Sequence, residues 1–210
     1  MFYKITDGHG SVNLKHNPLN ALVAPRPIAW VSTRGKQGSS NLAPFSYFNL
    51  VSLDPSMLMI SPNEKDTRGG PKDTLRNIRE TLEFVVNVVP WRLREAMNMT
   101  SSILGYGDSE FALAGLAEAP SMLLQAPRIQ EAPAALECKL FQIIPLPSCP
   151  GGRQSHVVIG EIVGVYIDAN FIDNGTVDVL KIAPMARLGG VDYTAVDRLE
   201  TIPRPPRTGD

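Results

Sequence analysis

Four short runs decide how this chain folds: Arg26-Pro-Ile-Ala-Trp-Val-Ser-Thr33, Asn41-Leu-Ala-Pro-Phe-Ser-Tyr-Phe48, Ser56-Met-Leu-Met-Ile-Ser61 and Phe84-Val-Val-Asn-Val-Val89. Each is rich in β-branched, aromatic and other apolar residues and is bounded by Pro, Gly, Asn, Asp or Ser, as strands are. Arg34-Gly-Lys-Gln-Gly-Ser-Ser40 reads as a hairpin connection between the first two, and the second extends from Asn41 to Val51. Phe84–Val89 is apolar at nearly every position, which predicts a strand buried on both faces.

A fifth strand is expected over Val157–Ile167, where positions 157, 159, 163, 165 and 167 are β-branched and apolar. That period of two predicts one face in the core. Leu136–Ile144 precedes it and can pair with it across the Pro/Gly-rich loop 145–154. Helical signals are fewer. Asp73-Thr74 can cap a helix with Leu75, Ile78 and Leu82 on one face. Trp91–Met99 reads as a second helix, with Pro90 in its first turn. Many strands with a few helices predict a mainly β fold with peripheral helices, in the form of a barrel. Residues 1–201 are expected to form one domain, and 202–210 a Pro/Arg-rich tail.

Composition excludes several classes. The chain has 210 residues, 43% of them apolar, and a formal net charge of −1. That gives no electrostatic reason to bind nucleic acid, and no apolar run is long enough to span a membrane. The N-terminus lacks the apolar core of a signal peptide, so a cytoplasmic address is expected. The two cysteines, Cys138 and Cys149, read as one buried thiol and one loop thiol. His9, His16 and His156 show no metal-ligand spacing, and His156 reads as a polar residue opening a strand. No motif of nucleophilic, zinc or nucleotide chemistry is present. A protein without such groups can still perform redox chemistry through a cofactor.

Two sets of residues suggest where a cofactor binds. Polar side chains fall at strand ends where a core would place apolar ones: Ser32, Thr33, Asn41, Ser46, Tyr47, Asn49 and Ser61. They can make turns and solvent contacts, or hydrogen-bond a planar heterocycle against which Pro44, Phe45 or Phe48 packs. As a set, a site is the favoured reading. The second is Gly69-Gly-Pro-Lys-Asp-Thr-Leu-Arg-Asn77, a glycine-rich approach to a helix start. Lys72, Thr74 and the free N–H groups there suit a phosphate, although an ordinary capped helix has the same appearance.

Together with Ser52-x-Asp54-Pro55, Lys72-Asp-Thr-x-x-Asn-Ile78, Gly160-Glu-Ile-Val163 and Arg187-Leu-Gly-Gly190-x-x-Tyr193, these runs resemble the flavin-reductase-like, flavoredoxin-type family. The match runs in register from about Arg26 to Tyr193. The resemblance implies an FMN-binding split β-barrel, usually a homodimer with FMN near the subunit interface. By motif, Ser32, Thr33 and the Asn41–Phe48 segment (Asn41, Leu42, Ala43, Pro44, Ser46, Tyr47 and Phe48) would line the isoalloxazine and ribityl chain. Ser61, Lys72, Thr74 and Asn77 would lie towards the phosphate. Arg187, Gly189, Gly190 and Tyr193 would complete the pocket, or else form a tight turn.

The expected activity is an oxidoreductase in which FMN takes hydride from NADH or NADPH and passes electrons to free flavin, a partner protein or a small acceptor. No residue is expected to act as a catalytic acid. A non-catalytic flavin carrier, a barrel without flavin, and an activity of the pyridoxamine-phosphate-oxidase kind are the alternatives. Substrate preference is expected in 100–135 and 145–154, which carry no recognisable motif.

Overall fold

The computed structural model describes residues 1–63, 65, 72–152 and 154–205. Its strands are β1 (Arg26–Pro27), β2 (Ala29–Arg34), β3 (Ser40–Phe45), β4 (Phe48–Leu53), β5 (Ser56–Ile60), β6 (Glu83–Val88), β7 (Glu118–Ala119), β8 (Arg128–Ile129), β9 (Ala134–Pro145), β10 (His156–Ile167), β11 (Ile172–Asp173), β12 (Thr176–Val177), β13 (Met185–Arg187) and β14 (Tyr193–Ala195). The α-helices are α1 (Leu19–Leu22), α2 (Asp73–Thr81), α3 (Arg94–Met99), α4 (Glu110–Leu113) and α5 (Val179–Ile182).

Seven strands form one antiparallel sheet in the order β3-β2-β6-β9-β10-β5-β4. Its two edge strands, β3 and β4, are separated in the chain only by Ser46 and Tyr47. Edges seven strands apart can be joined so briefly only if the sheet rolls up. Yet β3 and β4 are not hydrogen-bonded to each other, so the barrel is split along that seam. The run expected to extend from Asn41 to Val51 therefore bends at Ser46-Tyr47 and becomes two strands. The backbone N–H of Ser61 donates to the Tyr47 carbonyl at 2.8 Å, tying the bend to the end of β5.

The barrel interior holds Ala29, Val31, Phe45, Leu58, Ile60, Phe84, Val86, Cys138 and Val158, with Leu75 and Ile78 of α2 packed among them. A second cluster lies outside the barrel wall: Trp30 and Leu42 turn outwards against Met97, Phe111, Ile129 and Met185. Phe84–Val86 are buried on both faces as expected, because β6 lies inside the sheet and is covered on each side. The Trp30 indole N–H donates to Thr100 Oγ1 at 2.8 Å, which satisfies its one polar atom in the core.

The face of β10 differs from expectation. His156, Val158 and Gly160 are the buried residues, while Val157, Ile159 and Val163 are half-buried and Val165 is 60% exposed. Irregularities in the β9–β10 register fall between Ile159 and Gly160 and between Ile162 and Gly164. At the first the extra residue is Phe141 of β9; at the second it is Val163 of β10, beyond which the side of β10 that faces the core is no longer kept by strict alternation. Gly160 faces the core because nothing larger fits: a Cβ there would lie 2.5 Å from Phe84 Cζ. The second predicted helix starts as a 3-10 turn, Trp91–Leu93, which Pro90 precedes as cap rather than entering, and becomes α-helical from Arg94 to Met99. Cys138 is buried and Cys149 exposed, as expected.

Candidate functional site: a two-lobed groove at the barrel seam

Helix α2 begins at Asp73, with Lys72 in the N-cap position and no side chain capping the helix. The first intrahelical bond runs from the Arg76 N–H to the Lys72 carbonyl at 3.0 Å. The N–H groups ahead of it, including those of Thr74 and Leu75, face the end of the helix with the positive pole of its dipole. Thr74 therefore lies inside the first turn rather than capping it.

Beneath that turn is a polar cluster. Asn77 Nδ2 donates to Thr33 Oγ1 at 3.0 Å, and Asn41 Nδ2 donates to Thr74 Oγ1 at 2.9 Å. Asn41, Thr33, Thr74 and Asn77 are all buried. These bonds join β2, β3 and α2 where the barrel interior meets the helix start. Asn77 Oδ1 has no hydrogen-bond partner among the described residues.

Above the cluster lies a cavity of about 420 Å³ whose walls include Asn41, Ala43, Pro44, Lys72, Thr74 and Arg76, closed on the far side by Ser101–Tyr106. Neither Lys72 nor Arg76 has a carboxylate partner among the described residues. The Lys72 ammonium lies 6.0 Å from the Phe45 ring centroid, and the Arg76 guanidinium stacks 4.1 Å from that of Tyr106. Glu110 also borders this lobe, its Oε2 accepting from the Leu42 N–H at 3.0 Å. Burial raises its carboxyl above the ordinary value of 4.5, against the lowering effect of its backbone hydrogen bonds, and Asp73 and Asp108 add to the rise.

A larger cavity, about 790 Å³, adjoins the first at Pro44 and Ser101, which line both. Ile28, Trp91, Met97 and Met185 supply much of its apolar wall, while Ser46, Arg94, Arg187 and Tyr193 bring polar groups to it. Arg187 stacks 4.3 Å from the Tyr193 ring centroid and donates to the Tyr193 hydroxyl and, at 2.5 Å, to the Gly190 carbonyl.

The residues predicted from sequence divide accordingly. Asn41, Ala43, Pro44, Lys72 and Thr74 line the smaller lobe, and Pro44, Ser46, Arg187 and Tyr193 the larger. Thr33 and Asn77 support the floor from below. Ser32 is turned to the other side of β2, where its hydroxyl donates to the Pro127 carbonyl and accepts from Asn87 Nδ2. Leu42 belongs to the outer cluster, and Phe45 and Phe48 pack into the barrel, leaving Pro44 at the groove. The Tyr47 hydroxyl donates to Asn20 Oδ1 at 2.9 Å. Phe48, Ser61, Gly189 and Gly190 line neither lobe. Gly190 has φ +57° in the β13–β14 turn, where a glycine is favoured. Gly69 and Gly70 lie outside the described residues.

Sequence reasoning missed Arg76, Trp91, Met97 and Met185, and expected 100–135 to carry substrate preference without naming Glu110 or the Ser101–Tyr106 wall within it. A basic residue one turn into a helix whose start had been singled out was a usable signal for Arg76. No local pattern marked the others.

A narrow lobe with two cations at a helix N-terminus that have no carboxylate partner among the described residues, joined to a wide, largely apolar lobe, suits an elongated ligand with a phosphate at one end and a planar ring at the other. FMN has that form, and the donors present fit it. The profile of the flavin reductase like domain matches residues 22–180. An uncharacterized protein of Aquifex aeolicus is 41% identical over 173 residues, 82% of this chain and 85% of its own. The 2-nitrobenzoate 2-nitroreductase NbaA of Pseudomonas fluorescens is 34% identical, with a TM-score of 0.82 over the whole of both chains. Nitrilotriacetate monooxygenase component B from Bacillus cereus superposes with a TM-score of 0.85 at 29% identity, covering 96% of this chain and 98% of that one. With its rolled sheet, open seam and two-lobed groove, the chain belongs to the flavin reductase-like family.

Proposed function

We propose that the protein is an FMN-dependent oxidoreductase using NADH or NADPH as electron donor. The observation that carries this reading is the continuity of the two lobes at Pro44 and Ser101. Bound flavin would supply the redox chemistry, taking hydride from the nicotinamide and passing its electrons to free flavin or another acceptor. Lys72, Arg76 and the first N–H groups of α2 hold the phosphate. Asn41, Thr33, Thr74 and Asn77 keep that helix start in place against the barrel. Pro44, at the junction of the lobes, would lie beside the ring, and Trp91, Met97 and Met185 would exclude water from the large lobe. Of the charged residues bordering the large lobe, Arg94 and Arg187 are cationic, and Glu95 is paired with Arg94 and 84% exposed, so no buried carboxylate of the described residues there would oppose negative charge developing on a reduced ring.

The working form we propose is a homodimer. The edge strand β4 leaves Leu50, Val51 and Leu53 about half exposed or more (47%, 52% and 76%), and an apolar sheet edge of this kind is normally covered. No helix among the described residues is long and apolar enough to cross a membrane.

The test is an absorbance spectrum of the purified protein after incubation with FMN and gel filtration, repeated anaerobically with NADH and with NADPH. Retained flavin that bleaches with either nucleotide is the expected result. Retained flavin that stays oxidised with both would make the protein a carrier. Failure to retain FMN would end the cofactor assignment.

A further inference from the structure

The groove has more cations than one phosphate requires. FMN carries its ionised group at one end, which Lys72, Arg76 and the α2 terminus would meet in the small lobe, where Asp73 and Glu110 are the acidic neighbours. Two more guanidiniums, Arg94 and Arg187, border the large lobe together with Glu95, on the side where the uncharged oxidised ring would lie. Arg94 donates to the Trp91 carbonyl at 3.3 Å and pairs with Glu95, which also borders the lobe but whose side chain is 84% exposed, so that ion pair is weak and well screened. Arg187 has no carboxylate partner among the described residues; its N–H groups go to a phenol and a carbonyl, both uncharged.

Both arginines also lie over aromatic rings. Arg94 is 5.3 Å from the Trp91 ring centroid and Arg187 is 4.3 Å from that of Tyr193. The rings support each guanidinium, and each terminal nitrogen has one partner among the described residues: Arg187 Nη1 and Nη2 donate to the Tyr193 hydroxyl and the Gly190 carbonyl, and Arg94 Nη1 and Nη2 to the Trp91 carbonyl and Glu95. A guanidinium has five N–H groups, so donors remain on both arginines for a ligand. The surfaces between them come from Ile28, Met97 and Met185. Methionine adapts its shape to a planar ligand and interacts well with aromatic faces. The cavity, about 790 Å³, lies in the upper part of the roughly 300–1,000 Å³ range typical of ligand pockets.

Resting on the flavin reading above, we propose that the large lobe takes a second ligand beside the flavin, a small aromatic carboxylate. Its ring packs on the Trp91, Met97 and Met185 surface and its carboxylate is read by the forked donors of Arg187, with Arg94 as the second cation. A carboxylate matches the geometry of a guanidinium edge with two parallel hydrogen bonds, which a neutral amide cannot do with the same charge.

Benzoate and its neutral isostere benzamide are the probes. Each is titrated into FMN-loaded protein, read by the flavin difference spectrum, and into flavin-free protein, read by tryptophan fluorescence. Trp91 borders the lobe, whereas Trp30 is buried. The expected result is benzoate binding about tenfold or more tighter than benzamide, since hydrogen bonds to a charged group are stronger than those to a neutral one. Arg187→Gln should abolish that preference, and Arg94→Gln should reduce it. Equal affinities for the two probes in the wild-type protein, or no binding of either, overturn the proposal without any variant having to fold. A preference that survives both substitutions overturns the assignment to these arginines. If the protein does not retain FMN, the cofactor reading fails by itself, and the flavin-free titration still decides this one.

Discussion

Asn77 of α2 and Thr33 of β2 are joined by a 3.0 Å hydrogen bond in which the buried amide donates to the buried hydroxyl. The bond fastens the helix that opens on the small lobe to the wall of the barrel. Thr33→Val keeps the volume of the side chain but leaves the Asn77 amide, whose Oδ1 already lacks a partner, without this acceptor. The expected loss is about 1–3 kcal/mol of stability, the cost of a buried polar group left unsatisfied. Urea denaturation at constant m-value would measure it. A change under 0.5 kcal/mol would show that the cluster does not hold the helix start.

Lys72 and Thr74 are not equivalent. Lys72 is half-buried with no carboxylate partner among the described residues, whereas Thr74 is buried and accepts from Asn41. Lys72→Ala should therefore weaken FMN binding roughly tenfold at low salt while leaving the denaturation midpoint unchanged, since a single charge-assisted contact is removed. Thr74→Ala should lower both, because it also removes the partner of a buried amide. Flavin fluorescence titrations at two salt concentrations, beside urea curves, separate the two. Equal FMN affinity in wild type and Lys72→Ala would remove the phosphate from the α2 terminus.

Gly160→Ala introduces a methyl group 2.5 Å from Phe84 Cζ, well inside contact distance. In a well-packed core such overpacking typically costs about 1–3 kcal/mol. Phe84→Leu creates space at the same point, so the double substitution should be less destabilised than the sum of the two single ones. Additive effects in a double-mutant cycle would show that the two residues do not compete for one volume.

Glu110 makes stability depend on pH in a definite sense. Its folded-state pKa is raised, mainly by burial, so the folded protein holds this proton more tightly than the unfolded chain does. The stabilising contribution is complete below the ordinary value of 4.5 and is lost as pH rises through the folded-state value. Glu110→Gln retains an oxygen for the Leu42 N–H but cannot ionise. The variant should lose less stability than the wild type as pH is raised above 4.5, when the two are followed by thermal denaturation across that interval. Parallel curves would show that Glu110 does not titrate there.

The two residues of the opening bond also mark how far the sequence could be read. Ser32 and Thr33 are adjacent, and both are polar at the end of an apolar strand. Only the fold separates them: Ser32 bonds Pro127 and Asn87 behind the sheet, and Thr33 bonds Asn77 beneath the groove. Alternation guarantees that neighbours in a strand face opposite sides, but it does not say which side is which. The same ambiguity reversed the expected face of β10, where positions 157, 159, 163, 165 and 167 are β-branched yet the buried side, His156, Val158 and Gly160, is the one that contains a glycine. Phe84 of β6 fills the space over Gly160, and that contact is not encoded within the strand itself.

By itself, the sequence determined the order of short strands, the doubly buried Phe84–Val89 run, the helix start at Lys72–Thr74 and, through its ordered motifs, the flavin reductase-like family. These are properties of residues close together in the chain, where propensity and periodicity operate. The tertiary structure decided that β3 and β4 become the two edges of a rolled sheet. It also brought Trp91, Met97, Ser101 and Met185 alongside Pro44 to make two lobes of one groove. Those neighbours come from separate parts of the chain, and only closing the sheet into a barrel brings them together.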